Sequence, residues 1–325
     1  MERMETALGF YAPIADGLRR VEESLEEVAS GSEDPIKGLL EHVVAVRGKR
    51  VRPSITLLVS KVLDCDTDKP AIMGAAVELL HLATLIHDDT VDNADVRRGR
   101  ATLSSLWGPE VAVLVGDYLF ATSAIHVCNT ENIRVIKGFS RTIMDLSSGQ
   151  LTEHFMANQW QQTREQYYDR IFKKTGSLFA TAAESGAILS GADERTIEAF
   201  RTFGSNLGTA FQVVDDILDF EGSAEEIGKP VGSDLASGVL TLPALLLVER
   251  YPRDNPVVAV CEGVEREANM ELAVDMVRNS GVMADVYAEA GALRARAIDA
   301  LAPLPDSEAK RALLELSDFV LERHV

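Results

Sequence analysis

Leu85-Ile86-His87-Asp88-Asp89-Thr90-Val91-Asp92-Asn93 has a counterpart far down the chain in Gln212-Val213-Val214-Asp215-Asp216-Ile217-Leu218-Asp219. Both read D-D-x-x-D behind an apolar run, and their first aspartates lie 215 − 88 = 127 positions apart, too far to be one loop. On a helix, Asp88 and Asp92 stand at i and i+4 and share one face, as do Asp215 and Asp219. Apolar residues on the opposite face anchor each helix to a core. Two acidic helix ends facing each other across a cavity repel strongly unless cations sit between them. Oxygen-only ligands select a hard ion, Mg²⁺ rather than a soft transition metal. Mg²⁺ keeps waters and shares itself with substrate phosphates, so the pattern predicts a diphosphate held by bridging Mg²⁺ between two helices.

The plain alternative for one acidic run on a helix is a solvated face. Two matching copies, each embedded in apolar sequence, argue against it. An EF-hand fits poorly: loop position 12 counted from Asp88 is Gly99, and positions 3 and 6 counted from Asp215 are Ile217 and Phe220.

The 325 residues are 46% hydrophobic and 26% charged, ample for a buried core. A formal net charge of −19 argues against nucleic acid or an anionic membrane as partner, so an anionic substrate needs a local basic patch. Cys65, Cys128 and Cys261 stand far apart, with neither metal spacing nor an even disulfide set. A reduced, cytoplasmic setting is expected. The first residues lack the basic and apolar regions of a signal peptide. No uncharged apolar run has the length of a membrane span, which predicts that the protein is not integral to a membrane.

Apolar spacing predicts helix over 14–30, 71–87, 111–128, 134–158, 166–190, 194–221, 240–250, 271–279, 283–302 and 307–323. Strand alternation is rare, and no linker or repeat interrupts the chain. One all-α domain over 1–325, a helical bundle around a deep central cavity, is expected. Between the helices lie cations. Gly48-Lys49-Arg50-Val51-Arg52-Pro53 places three of them where a helix starts, which suits a diphosphate. His81 precedes Asp88 by two helical turns, and Arg97 and Arg98 follow the first acid motif. Lys173-Lys174-Thr175-Gly176 predicts a kinked or exposed helix. Gly228-Lys229-Pro230 places a cation ten residues after Asp219 in a segment suited to a mobile loop. It is not a phosphate-binding P-loop, since Pro230 stands where Ser or Thr is required.

Taken together, the set resembles the trans-type polyprenyl diphosphate synthases. The likeness runs from Gly48 to about Pro243: G-K-x-x-R-P at Gly48–Pro53, D-D-x-x-D with its arginine pair at Asp88–Arg98, G-Q at Gly149 and Gln150, K-T at Lys174 and Thr175, F-Q-x-x-D-D-x-x-D at Phe211–Asp219, and G-K-x-x-G-x-D-L at Gly228–Leu235. The resemblance implies the isoprenoid synthase fold, a homodimer, and Mg²⁺ at about three ions per active site. It implies that Asp88, Asp92 and Asp215 are the principal metal ligands, with Asp219 beside them and Asp89 and Asp216 in support. Lys49, Arg52, His81 and Arg98 would hold isopentenyl diphosphate. Arg97, Lys174, Thr175, Gln212 and Lys229 would hold the allylic diphosphate. The six aspartates and Lys174 would form the catalytic set. One departure stands out: many relatives carry lysine before T-L-P, where this chain has Val239-Leu240-Thr241-Leu242-Pro243.

In such enzymes a large aromatic five residues before the first aspartate resembles a floor that stops the growing chain. Here Ala83 and Thr84 are small, and Leu80 lies about 12 Å along the helix from Asp88, narrowing the path without closing it. The expected product is therefore longer than geranylgeranyl diphosphate, in the hexaprenyl to octaprenyl range. The alternative is that Ala83 is close-packed core and another helix supplies the floor, through Phe120. A short-chain synthase, a terpene cyclase and a non-catalytic subunit of a heteromeric synthase are the competing functions. The cyclase does not need two full acid motifs, and a silent subunit should have lost acids or cations that this chain keeps.

Overall fold

Almost every apolar run has the 3.6-residue period, and the computed structural model, which describes residues 9–45, 48–65, 67–97, 99–222 and 230–321, is correspondingly all-α. A 3-10 turn (Gly9–Ile14) leads into α1 (Ala15–Ser30), which buries Val21, Leu25 and Ala29 along one face. Two helices that the periodicity did not resolve follow, α2 (Ile36–Val44) and α3 (Val51–Val62). Helix α4 (Lys69–Val91) starts with Pro70 in its first turn and carries the first acid motif. A short antiparallel hairpin, β1 (Val96–Arg97) and β2 (Arg100–Ala101), pairs Val96 with Ala101 and Arg97 with Arg100.

Next come α5 (Leu103–Trp107), α6 (Pro109–Asn129) and α7 (Ile133–Phe155). The helix expected over 166–190 is broken. α8 (Arg164–Ile171), opened by a capping box between Thr163 and Gln166, passes into a π turn at Phe172–Gly176 and then α9 (Ser177–Leu189). α10 (Glu194–Glu221) carries the second acid motif. The chain ends with α11 (Ser233–Ala236), α12 (Leu242–Arg250), α13 (Pro256–Cys261), α14 (Arg266–Asn279), α15 (Val282–Leu301) and α16 (Glu308–Leu321).

The chain groups into two compact units. The first comprises Met1–Ser140, Thr181–Arg201 and Pro303–Leu316; the second comprises Arg141–Ala180, Thr202–Ala302 and Ser317–Val325.

In the first unit, α4 and α6 form the most extensive helix pair among the described residues. Gly116 on α6 leaves room for the His87 ring of α4: a Cβ there would lie 2.2 Å from His87 Nε2. Helices α4 and α6 are both long and apolar enough to cross a membrane, although each carries charged residues within its apolar run. α4 is a core helix, buried on nearly all sides by Met73, Ala75, Ala76, Leu79 and their neighbours. α6 leaves Leu114, Tyr118 and Ile125 exposed.

Arg50 ties this unit together. It is buried at a left-handed backbone position (φ 47°), with Nε 2.6 Å from Glu22 Oε1 on α1 and Nη1 2.7 Å from Glu78 Oε1 on α4. Such a backbone conformation persists for a non-glycine residue only where its surroundings hold it. Burial pulls the guanidinium pKa down, and the carboxylates of Glu78 and Glu22 more than reverse that, holding it above the usual arginine range.

The second unit has its own core, in which Val213, Val214, Ile217 and Phe220 of α10 meet Leu242, Leu245 and Leu246 of α12 and Val277, Val282 and Val286 beyond.

Replacing Arg50 by Met should destabilise the protein by about 3–5 kcal/mol, because two carboxylates are left without their cation. Denaturant unfolding of Arg50→Met against wild type checks this, and an unchanged midpoint would show that the triad holds nothing.

Candidate active site

Neighbouring positions on a helix point about 100° apart, so the first two aspartates of a D-D-x-x-D motif cannot face the same way. In the first unit, Asp88 and Asp89 occupy the last turn of α4. The Asp92 N–H donates to the Asp88 carbonyl at 2.8 Å, which carries the helical turn on to Asp92 and puts the two on one face. Asp88 is partly exposed and Asp92 is exposed, as expected of ligands. Asp89 is buried and accepts from Arg97 Nε of the hairpin at 2.5 Å. Arg97, read as an allylic-diphosphate residue, thus spends its Nε on the second aspartate.

The same unit brings Arg52 and His81 together, Nη1 to Nε2 at 3.1 Å. A guanidinium N–H only donates, so the imidazole Nε2 accepts. Two residues far apart in the sequence and assigned to one substrate are therefore neighbours. Lys49 is exposed, its carbonyl held by the Tyr11 hydroxyl at 2.5 Å. Leu80 and Ala83 are closed over within the unit, whereas Thr84 is partly exposed and donates its hydroxyl to the His81 carbonyl. Of the three chain-length positions, Thr84 is the one that opens outward.

In the second unit, α10 shows the same division. Asp215 is partly exposed. Asp216 is 1% exposed, with Oδ2 accepting from the Tyr167 hydroxyl at 2.6 Å and Oδ1 from Gln212 Nε2 at 3.2 Å. Burial pushes the Asp216 carboxyl up to about 6, against the downward pull of Tyr167, Gln212 and the Arg170 guanidinium. Burial, with Asp216 beside it, likewise holds the Tyr167 hydroxyl protonated well above the usual phenol range. Asp219 is also buried, accepting from Ser233 Oγ at 2.8 Å and from the Asp234 N–H at 3.3 Å. Its carboxylate anchors the segment after the motif, a task the helical spacing alone did not reveal.

The π turn sets the remaining residues. Thr175 donates to Gln212 Oε1 at 2.7 Å, and Lys174 pairs with Glu153 of α7. Gly149 lets α7 approach this turn, since a Cβ there would lie 2.7 Å from the Lys174 nitrogen. Near the missing lysine at Val239, the buried Arg170 donates to the Leu240 carbonyl at 2.7 Å. That cation supports the main chain of the segment. Arg98 and Lys229 lie outside the described residues. Among the described residues no three carboxylate, histidine or cysteine side chains converge into a metal cluster. The outward aspartates Asp88, Asp92 and Asp215 nonetheless offer oxygen donors alone, the chemistry of a hard divalent ion.

Arg50, counted in the sequence among three cations suited to a diphosphate, is instead buried on Glu22 and Glu78; Glu78, Tyr167 and Arg170 had no sequence signal, and Glu153 none beyond its place after Gly149 and Gln150. Each is a buried or half-buried polar side chain whose partner is remote in sequence, and no spacing rule announces such pairs.

The polyprenyl synthetase family model matches residues 33–277. The nonaprenyl diphosphate synthase of Mycobacterium tuberculosis is 36% identical, covering 97% of this chain and 95% of its own. Among solved structures, heptaprenyl diphosphate synthase of Staphylococcus aureus superposes with a TM-score of 0.90 at 31% identity, covering 96% of this chain and 99% of that one. A polyprenyl synthase of Caulobacter crescentus, complexed with calcium and isoprenyl diphosphate, gives 0.88 at 33% identity over 100% and 98%. The chain belongs to the polyprenyl synthetase family. It is an enzyme, a trans-type prenyltransferase.

The two aspartates of a pair should separate by experiment. Asp88→Ala should leave the melting temperature close to wild type while cutting turnover by orders of magnitude. Asp216→Ala should also cost about 1–3 kcal/mol, since buried donors of Tyr167 and Gln212 lose their acceptor. Thermal unfolding beside a prenyl-transfer assay reads both; equal melting temperatures for the two variants would contradict the division.

Proposed function

We propose that this protein elongates an allylic diphosphate by head-to-tail condensation with isopentenyl diphosphate, giving a medium- or long-chain all-trans polyprenyl diphosphate. The observation that carries the reading is the division repeated in both acid motifs. Asp89 and Asp216 are buried on protein donors, while Asp88 and Asp215 stay partly open to a ligand. The names of the heptaprenyl and nonaprenyl relatives support the chain length.

Asp88, Asp92 and Asp215 would hold Mg²⁺, with Asp219 beside them. Bound there, Mg²⁺ would supply the positive charge that makes diphosphate a leaving group. Lys174, Thr175, Gln212, Arg97 and Lys229 hold the allylic diphosphate as its C–O bond breaks to a delocalised carbocation. Lys49, Arg52, His81 and Arg98 hold isopentenyl diphosphate, whose double bond attacks that cation. That double bond is the nucleophile, so the protein need supply none; a proton then leaves, and the released diphosphate accepts it. Apolar walls exclude the water that would quench the cation. Thr84, with Leu80 and Ala83 behind it, borders the path of the growing chain.

We place the enzyme in the cytoplasm, in keeping with three free cysteines. We further propose a homodimer. Leu114, Tyr118 and Ile125 form an exposed stripe at i, i+4 and i+11 on α6, and Met144, Leu151 and Phe155 form another at i, i+7 and i+11 on α7. Stripes of this kind suit a second copy of the chain.

Incubation with labelled isopentenyl diphosphate, an allylic diphosphate and Mg²⁺ should give products in the hexaprenyl to octaprenyl range, and excess EDTA should abolish them. Products that stop at farnesyl or geranylgeranyl would make it a short-chain enzyme. Hydrocarbon would make it a cyclase, and no turnover a partner subunit. Leu114→Glu should convert a dimer to monomer in light scattering behind size exclusion; a wild-type monomer would refute the assembly.

A further inference from the structure

One face of α10 carries Gly204, Gly208, Gln212 and Asp216 at successive i+4 positions. The glycine half lies against backbone. A Cβ on Gly204 would sit 2.5 Å from the Phe179 carbonyl oxygen, and one on Gly208 would sit 2.9 Å from Gly176 Cα. Helix α10 is therefore seated directly on the π turn and the start of α9. The polar half of the face continues that seam. Thr175 Oγ1 donates to Gln212 Oε1 (2.7 Å), Gln212 Nε2 donates to Asp216 Oδ1 (3.2 Å), and the Tyr167 hydroxyl donates to Asp216 Oδ2 (2.6 Å). The next donor to Oδ2, the Leu242 N–H that opens α12, stands back at 3.4 Å. Tyr167 is fully buried, so its hydroxyl meets no ligand.

The direction of this chain follows from donor and acceptor chemistry. An ionised carboxylate only accepts, so the Gln212 carboxamide turns its nitrogen toward Asp216 and its oxygen toward Thr175. Flipping the amide would set two acceptors 3.2 Å apart. Nε2 has two N–H groups; Asp216 takes one, and the other remains for a ligand. Diphosphate oxygens are acceptors too, so that N–H is what this side chain can offer them. The Tyr167 hydroxyl fixes the carboxylate that sets the amide.

We propose that Tyr167 is a positioning residue for the allylic diphosphate: through Asp216 it orients the Gln212 carboxamide so that one N–H is directed to the substrate. The inference rests on the proposed prenyl transfer and adds to it a residue that never touches substrate.

Calorimetric titration of geranyl diphosphate and of isopentenyl diphosphate, each with Mg²⁺, reads the effect without turnover. Tyr167→Phe keeps the buried ring and removes only the hydroxyl. It should weaken geranyl diphosphate about 3- to 10-fold, the scale of one hydrogen bond. Isopentenyl diphosphate should change less than about 2-fold, and the allylic KM should rise in parallel. In a Gln212→Ala background the hydroxyl should no longer matter, because its intermediary is gone. Equal weakening of both ligands, an effect that adds to that of Gln212→Ala, or unchanged geranyl diphosphate affinity overturns the inference. If Tyr167→Phe folds poorly, Asp216→Asn serves in the same cycle, since its amide group cannot accept from both neighbours. Loss of prenyl products in the wild type would sink the proposed reaction, whereas a productive wild type with an indifferent Tyr167→Phe sinks this inference alone.

Discussion

A carboxylate closed off from water must be met by donors, and Asp216 imposes that demand on the whole second unit. Its two oxygens draw in Tyr167 from α8, Gln212 from its own helix and the start of α12. Elements that hydrophobic contact alone would hold within a tolerance are thereby held to hydrogen-bond geometry. The burial follows from the motif itself. Two adjacent aspartates on a helix diverge by about 100°, so presenting one outward commits the other to the interior. Asp89 makes the same commitment in the first unit and is met by Arg97.

Arg50 works by related means. A buried ion pair is weak evidence for net stability, because desolvation opposes the attraction. Its value lies in direction: the guanidinium joins α1, the entry to α3 and α4 through two carboxylates at fixed angles. α3 carries Arg52 and α4 carries His81, and the two meet at 3.1 Å. An apolar residue at position 50 could fill the space but could not fix those helices in rotation about their axes.

Most of the architecture was legible because helical periodicity is a property of one chain read locally. Both acid motifs end helices as their spacing requires, and α10 spans the expected residues 194–221. What escaped was of two kinds. α3 is buried on nearly every side and so shows no one-sided apolar stripe, α2 is nine residues with Gly38 inside, the hairpin has two residues per strand, and Arg50 hides a left-handed backbone inside what reads as a basic run. The other omissions are pairings. Tyr167 finds Asp216 across 49 positions and Lys174 finds Glu153 across 21, and nothing in either neighbourhood encodes the partner. The helical reading put Asp88 and Asp92 on one face, and it could not foresee that Asp219, at the equivalent place in the second motif, is drawn inward by Ser233 and Asp234.

The π turn at Phe172–Gly176 holds one residue more than an α-helical turn of the same height. The wide turn absorbs that surplus, so α8 and α9 keep roughly the relative phase of an unbroken α-helix one residue shorter. Closing the turn by removing a residue would leave Tyr167 facing α10 and would disturb the turn's own side chains, Lys174 and Thr175, which meet Glu153 and Gln212. The turn acts as a local loop of slack: it sets two side chains apart from the helical register without disturbing the helices on either side.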